Sequence, residues 1–461
     1  MSKKDYEVVV LGGGAGGVPA AIRAAQLGAS VAVVEHRDFG GQCMNRGCIP
    51  FGHMMLAAGI VKGLSLGKEM GLSISDLTVD YPALIKRQEE LIDFMRQGVT
   101  STLKKNKVDI FEGRGRIAGK GVLEVNGTTI FFKKLILASG ADWKRPAVPG
   151  VELQGIAYTD SLLTREALPQ KALLYGTSPW LIEIAQFLAR FGSQVTLATP
   201  EGSILSGESR ALITRLRKVV RAEGIVLKVQ AAVSRAEKNN EGFTVELSSK
   251  DGSETMAVDA LLTLERGAAL KGIGLNSIGI DEDSAYVAVN DQMETSIPGV
   301  YAIGDLTAAP DSHYSHRAAQ TGIVAAENAM GRKVTVNPKT LIRVLFTHPE
   351  VASVGLTAKE AKQQGYETVV GSAPLSMNPF GMLLAENEGL IEVVADKRYG
   401  EILGVGIICS AASEIAGQAL LAIQMEATLE ELDKTPFPHP TLSESFAEAA
   451  RDALGNPIYL P

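Results

Sequence analysis

The segment that most restricts the fold lies near the start of the chain. There Val8-Val-Val-Leu11 runs into Gly12-Gly-Gly14-Ala-Gly-Gly17 and then into a helix-forming stretch from Ala20 to Leu27. A β-branched apolar run, a glycine-dense turn and a helix, in that order, open a dinucleotide-binding βαβ unit. Gly12 frees the turn, Gly14 lets backbone approach a pyrophosphate, and Gly17 lets the helix lie against the strand, while the helix N-terminus draws the phosphates. The next strand, Ser30-Val-Ala-Val-Val34, ends in Glu35, whose carboxylate is placed to bond the ribose hydroxyls of an adenosine. The pattern specifies a dinucleotide site and by itself does not choose FAD over NAD.

A chain of 461 residues is too long for one core of ~100 to 200 residues, so two to four domains are expected. Hydrophobic residues are 46% and charged residues 21%, ordinary for a soluble protein. No uninterrupted apolar run approaches the ~18 residues of a membrane span, so none is expected. A net charge of -7 argues against a nucleic-acid partner, which would call for a basic surface. Met1 to Tyr6 are too few to form a secretory signal before the first strand, which points to the cytoplasm. Three cysteines build no disulfide framework, and two of them close together in a reducing compartment suggest catalysis or metal binding. Cys409, at the end of the apolar stretch Ile402 to Cys409, reads as a buried inert thiol.

The close pair sits in Gly40-Gly-Gln-Cys43-Met-Asn-Arg-Gly-Cys48-Ile-Pro50, with four residues between the thiols. Two cysteines on a distorted first helical turn can reach disulfide geometry, and a helix N-terminus favours the thiolate of the reduced form. A metal site is the competing reading. The histidines are scattered and no second ligand pair at zinc-like spacing lies nearby, so a redox pair is preferred and no metal is expected.

Four further segments accompany this one: Ala138-Ser-Gly140, Thr295 through Gly304-Asp305, Phe346-Thr-His-Pro-Glu350 through Gly355, and His439-Pro-Thr-Leu-Ser-Glu444. With them, nearly the whole chain resembles the class I pyridine nucleotide-disulfide oxidoreductases, and most closely their dihydrolipoamide dehydrogenase branch. The resemblance implies FAD in the first site, held through Gly12, Gly14, Gly17, Glu35, Gly41, Gln42, Gly115, Ser139, Gly140, Gly304, Asp305 and Ser315. It further implies that Cys43 exchanges with a dithiol substrate while Cys48, nearer the isoalloxazine, forms the charge-transfer thiolate. His439 and Glu444 look like the family's acid–base dyad: an imidazole titrates near neutral pH, and the carboxylate orients it and stabilises its cation. In the family this histidine reaches the partner subunit's disulfide, so a homodimer is implied.

The expected architecture is α/β, with two Rossmann-like domains of FAD and NAD type and a C-terminal α+β dimerisation domain. The boundaries are 1-148 for the first part of the FAD domain, 149-272 for the NAD-type domain, 273-340 for the rest of the FAD domain, and 341-461 for the interface domain. The last of these includes the strand Leu390 to Val394 and a helix from Glu414 to Ala427.

Several positions depart from the family pattern. After Lys171-Ala-Leu-Leu-Tyr-Gly176, the second and third fingerprint glycines are replaced by Ser178 and Leu181, although Ser178 and Pro179 still read as a helix N-cap and first turn. The ribose-binding acid is replaced by Thr199, Glu265 stands where a glycine would face the nucleotide, and Trp180 is bulky enough to fill a nicotinamide pocket. NAD(H) binding is therefore expected to be weak or lost. After Cys-Ile-Pro the family's Ser-Lys is replaced by Phe51-Gly52, which leaves Glu183 without the lysine that pairs with it in the family. His53 is a candidate replacement cation or an ordinary helix histidine. Arg46 is a candidate for steering an acidic partner, for stabilising a thiolate, or for plain exposure.

The leading functional expectation is dithiol–disulfide exchange between protein-bound lipoate and FAD. Three alternatives accompany it: a conventional NADH-linked dihydrolipoyl dehydrogenase of a 2-oxoacid dehydrogenase or glycine-cleavage complex, a homologue serving a lipoate-binding protein in sulfur metabolism, and a non-catalytic subunit that docks a lipoyl protein.

Overall fold

The glycine pattern folds as predicted. β1 (Lys3–Leu11), α1 (Gly17–Gln26) and β2 (Val31–Glu35) follow one another in a computed structural model. It describes residues 3–73, 78–144, 148–149, 156–157, 162, 167–240, 242–250, 252–307, 313–337 and 341–460. β1 pairs in parallel with β2 on one side and with Thr128–Leu137 on the other. A parallel strand covered on both faces needs no polar alternation, and Val8, Val9 and Val10 are all fully buried.

The first sheet runs Asp109–Glu112, β2, β1, Thr128–Leu137, Val122–Val125, Arg116–Gly119. The short strand Val300–Ala302 adds in parallel to Thr128–Leu137 only after the chain has passed through a second sheet. That second sheet has the parallel order Val226–Val229, Gln194–Thr199, Lys171–Tyr175, Ala260–Leu262, Ile156–Ala157. The antiparallel meander Ala232–Asn239, Gly242–Ser249, Gly252–Val258 is attached to it. A third, antiparallel sheet forms the C-terminal part in the order Ile342–Leu345, Glu350–Gly355, Ile402–Cys409, Leu390–Asp396, Thr368–Pro374. Helices Ala412–Gln424 and Ser445–Leu454 share its core through Ile415, Ala419, Phe446 and Ala449. Cys409 lies in that core, and burial pushes its thiol up to about 12.

Between β2 and the next strand the chain forms α2 (Gly41–Arg46), α3 (Cys48–Glu69) and α4 (Tyr81–Lys105). Within Gly41–Glu69, of 29 residues, an 18-residue window has a mean hydropathy of 1.3, long and apolar enough by length and composition alone to cross a membrane. Glycines and Lys62 cut the apolar run into pieces, yet the average over that window stays high. In the fold its inner face carries Phe51, Met54, Met55 and Ala58 into a core shared with α5 (Trp180–Arg190). Leu56 and Ile60 face outward.

Candidate active site

The first fingerprint sets the floor of the site. Gly12 has φ +115°, and a side chain there would sit 2.2 Å from the Ala138 carbonyl oxygen; one on Gly17 would sit 1.8 Å from the carbonyl oxygen of Gly12. Turn and helix-to-strand packing thus both exclude any Cβ. Glu35 at the tip of β2 accepts hydrogen bonds from Gly13 N (2.7 Å), His36 N (2.8 Å) and Arg37 N (2.8 Å). The carboxylate is fixed by backbone before any ligand meets it.

An elongated cavity of about 540 Å³ opens above this floor, within the range of small-molecule and cofactor sites. Gly12, Gly14, Glu35, Gly41, Gln42, Gly115, Ser139, Gly140, Gly304, Asp305 and Ser315 all line it, as do Cys43 and Cys48. Gly17 lies beneath, where it packs rather than lines. These residues fit a dinucleotide: a glycine cradle and a helix N-terminus for a pyrophosphate, an oriented acid beyond β2, and a redox pair at the other end. The Ser139 hydroxyl donates to the Ala269 carbonyl at 2.9 Å. Asp305 accepts from Arg266 at 2.9 Å, both side chains being largely buried, and Arg266 lies over the Trp143 ring.

Cys43 and Cys48 form a disulfide with a Cα–Cα distance of 4.7 Å. They do not share one distorted turn, as expected from their spacing. α2 ends at Gly47, whose φ of -133° and ψ of -110° break the helix, and α3 restarts at Cys48. Cys48 thereby occupies the first turn of a 22-residue helix, a position that favours a thiolate. Its sulfur is 3.5 Å from Ser315 Oγ, on the first residue of α7 (Ser315–Ala329; α6 is Arg210–Ala222). Cys48 is the more exposed sulfur residue and Cys43 half-buried. That order reverses the one a simple inner-and-outer picture suggests, because the wall of an open cavity is itself surface.

Arg46, at the end of α2, donates to Asp38 at 3.0 Å and to Gln42 at 3.3 Å and lines the cavity beside the cysteines. His53 does not supply a cation to the cavity. Burial holds its imidazole below the ordinary value, and it bonds the backbone of Leu84 on α4. Glu183 does face the cavity. Its carboxylate accepts from Phe346 N at 2.8 Å, and burial, aided by the charge of Glu350, pushes its pKa up to about 7.

Gly176 keeps a φ of +145°, but the Glu265 carboxylate lies against it, 2.9 Å from where a Cβ would stand. Trp180 lines the cavity and meets Tyr314 edge to face at 6.2 Å. The predicted N-cap at Ser178 does not form. Pro179 holds the cap position with helical angles and no side-chain cap, and Leu181 N bonds the Ser178 carbonyl at 3.2 Å. The Ser178 hydroxyl has no hydrogen-bond partner among the described residues.

His439 and Glu444 meet as predicted, with Nδ1 and Oε2 2.9 Å apart. The imidazole is exposed, and neither residue lines the cavity that holds the disulfide of the same chain. Sequence reasoning missed Asn378, which is buried and donates to Glu444 (3.2 Å), Ser445 (3.0 Å) and the Thr441 carbonyl (3.0 Å). Its only sequence signal is the Asn378-Pro379 pair, a common helix start. Asn45 was missed as well: it donates to the Phe39 and Gly41 carbonyls and accepts from Arg96 on α4, fixing α2.

Comparison with known proteins agrees along the whole length. Residues 6–332 match the model of the pyridine nucleotide-disulphide oxidoreductases, and residues 341–450 match the dimerisation domain of that group. The chain is 36% identical to the dihydrolipoyl dehydrogenase of Thermus scotoductus over 458 residues, 97% of each chain. It is 31% identical to that of Bacillus subtilis over 475 residues, 99% of each. Among solved structures, LpdA of Mycobacterium tuberculosis superposes with a TM-score of 0.89 at 23% identity, covering 98% of this chain and 99% of the other. The flavoprotein disulfide reductase RclA of Escherichia coli gives 0.85 at 23%, covering 96% and 99%. At such identity these two likenesses speak for the fold.

Proposed function

Because the chain belongs to the pyridine nucleotide-disulphide oxidoreductase family, we propose that it is a dihydrolipoyl dehydrogenase-like flavoenzyme exchanging electrons between a protein-bound lipoyl dithiol and FAD. The observation that carries this is the bonded pair Cys43–Cys48 set in the wall of a dinucleotide-sized cavity, with Cys48 at a helix N-terminus. The Gly12–Gly17 turn, Glu35 and Asp305 would hold FAD, which when bound would supply two-electron chemistry to the disulfide. The rest falls to the protein's own groups. A substrate thiolate attacks Cys43, the S–S bond breaks, and Cys48 leaves as a thiolate held by the start of α3. The second substrate thiol then attacks the mixed disulfide, which frees Cys43 and closes the substrate disulfide. His439, oriented by Glu444, takes the protons from the substrate thiols in turn and passes them to solvent.

In one protomer the exposed His439 lies apart from the cavity that contains the disulfide. We therefore assign it to the partner's site, each active site being completed across a homodimer through the segment 341-461. The division into 1-148, 149-272 and 273-340 is retained as the working domain map, and a cytoplasmic setting suits a chain with one free and two paired cysteines.

NAD(H) is proposed to bind weakly. Glu265 fills the approach to Gly176, Ser178 and Leu181 replace glycines, and Thr199 supplies no carboxylate. Rapid anaerobic mixing of the oxidised protein with a dihydrolipoyl compound, and separately with NADH, tests both halves. Bleaching of the flavin by the dithiol alone is expected. Equally fast reduction by NADH would establish the conventional NADH-linked enzyme, and no reduction by the dithiol would remove the lipoyl assignment.

A further inference from the structure

Glu183 is the buried titratable group that the exchange chemistry leaves without a task. It stands on α5 with its carboxyl in the cavity wall, 5% exposed. One oxygen is held by the Phe346 backbone. No cationic side chain pairs with it among the described residues. The groups around it are these. Glu350, on the strand that follows Phe346, opposes its ionisation. Farther along α5, Arg190 is committed to Glu223 and to the His348 carbonyl. The His348 ring is held neutral, with a pKa of about 4, by burial first and then by the charges of Arg190 and of Lys62 on α3. Where α3 faces the cavity it offers Phe51 and Gly52, and a Cβ at Gly52 would meet nothing within 4 Å. A carboxyl with one backbone donor and no counter-cation, beside open space, is built to exchange a proton rather than to hold a charge.

We propose that Glu183 is the redox-linked proton acceptor of this site, protonated when an electron pair arrives and deprotonated when it leaves. The proposal rests on the flavoenzyme reading above. A dithiol gives up two electrons and two protons as its S–S bond forms. Two electrons and one proton enter the flavin, and the negative charge so added is balanced by a second proton at the Glu183 carboxyl. The dithiol's own protons leave through His439 to solvent, and those entering the flavin and Glu183 come from solvent, so the sum closes. A lysine in this position would balance the added charge without moving a proton, and the chain has placed Gly52 there instead.

The experiment is a spectroelectrochemical titration of the FAD-loaded protein carrying Cys43→Ala and Cys48→Ala, which isolates the flavin couple, between pH 7.5 and 9. The midpoint potential is expected to fall about twice as steeply with pH as in the same background with Glu183→Gln, because two protons rather than one accompany the pair. Gly52→Lys, which adds a cation in open space, is expected to give the shallow slope as well and serves if Glu183→Gln does not fold. The reduced-minus-oxidised infrared spectrum should show a protonated-carboxyl band that is absent from both variants. Equal slopes with and without Glu183→Gln, or a carboxyl band that survives that substitution, would overturn the proposal. A preparation that takes up no FAD would overturn the flavoenzyme reading instead.

Discussion

At the scale of single residues, burial decides what Glu183 does and position decides what Glu265 does. Glu183 has its folded-state pKa raised to about 7, so folding favours its protonated form. Its contribution to stability is complete below the ordinary carboxylate range and is lost as pH rises through about 7. Above that point the ionised group costs about 3 kcal/mol, the equivalent of its shift. Glu183→Gln keeps the acceptor for Phe346 N and removes the charge. The variant is expected to match the parent near pH 4.5 and to gain melting temperature over it above pH 7, which calorimetry at the two pH values checks; a parallel pair of curves would contradict the assignment. Glu265 acts through position. Its carboxylate covers Gly176, so Glu265→Gly is expected to tighten NADH binding about tenfold, or ~1.4 kcal/mol, as read by NADH titration. Cys43→Ser is the simplest case: dithiol-driven flavin reduction should vanish while the bound flavin keeps its yellow spectrum.

Elements show what could be read in advance and what could not. The β1–α1–β2 unit was legible because its information is local: a strand period, three glycines and an acid within about thirty positions. The dyad was legible too, since His439 and Glu444 are five residues apart. The geometry of the cysteines was not, because the break between α2 and α3 depends on the angles of Gly47, which the spacing does not reveal. Arg266 and Asp305 are separated by 39 positions and Asn378 and Glu444 by 66, and no periodicity links such pairs. The same distance makes Asn378 informative. It ties the turn before Pro379 to the start of the last helix, beneath the dyad. Asn378→Ala strips several buried hydrogen bonds at once and is expected to cost about 1–3 kcal/mol of stability. Because the residue positions Glu444 rather than touching substrate, the turnover number should fall with the dithiol KM nearly unchanged. A change in thermal stability alone would mark Asn378 as purely structural.

The whole molecule is needed because one chain does not bring its chemistry together. The disulfide lies in a cavity formed by α2, α3 and α7, while the imidazole projects outward from the C-terminal segment. In the proposed two-fold assembly each chain would both lend a histidine and receive one. The arrangement makes a prediction that a site contained in one chain cannot. Protein with His439→Ala and protein with Cys43→Ser are each expected to be inactive toward a dihydrolipoyl substrate. When the two are unfolded together and refolded as a mixture, half of the dimers should be mixed. In a mixed dimer one site has both an intact disulfide and an intact imidazole, and the other has neither. Turnover should recover to about a quarter of the wild-type value, the share of sites completed by random pairing in a two-fold dimer. If the dyad served its own chain, every site in every dimer would lack one partner and nothing would return. Recovery that rises with the fraction of mixed dimers, separated by a tag on one chain, distinguishes complementation from contaminating parent enzyme.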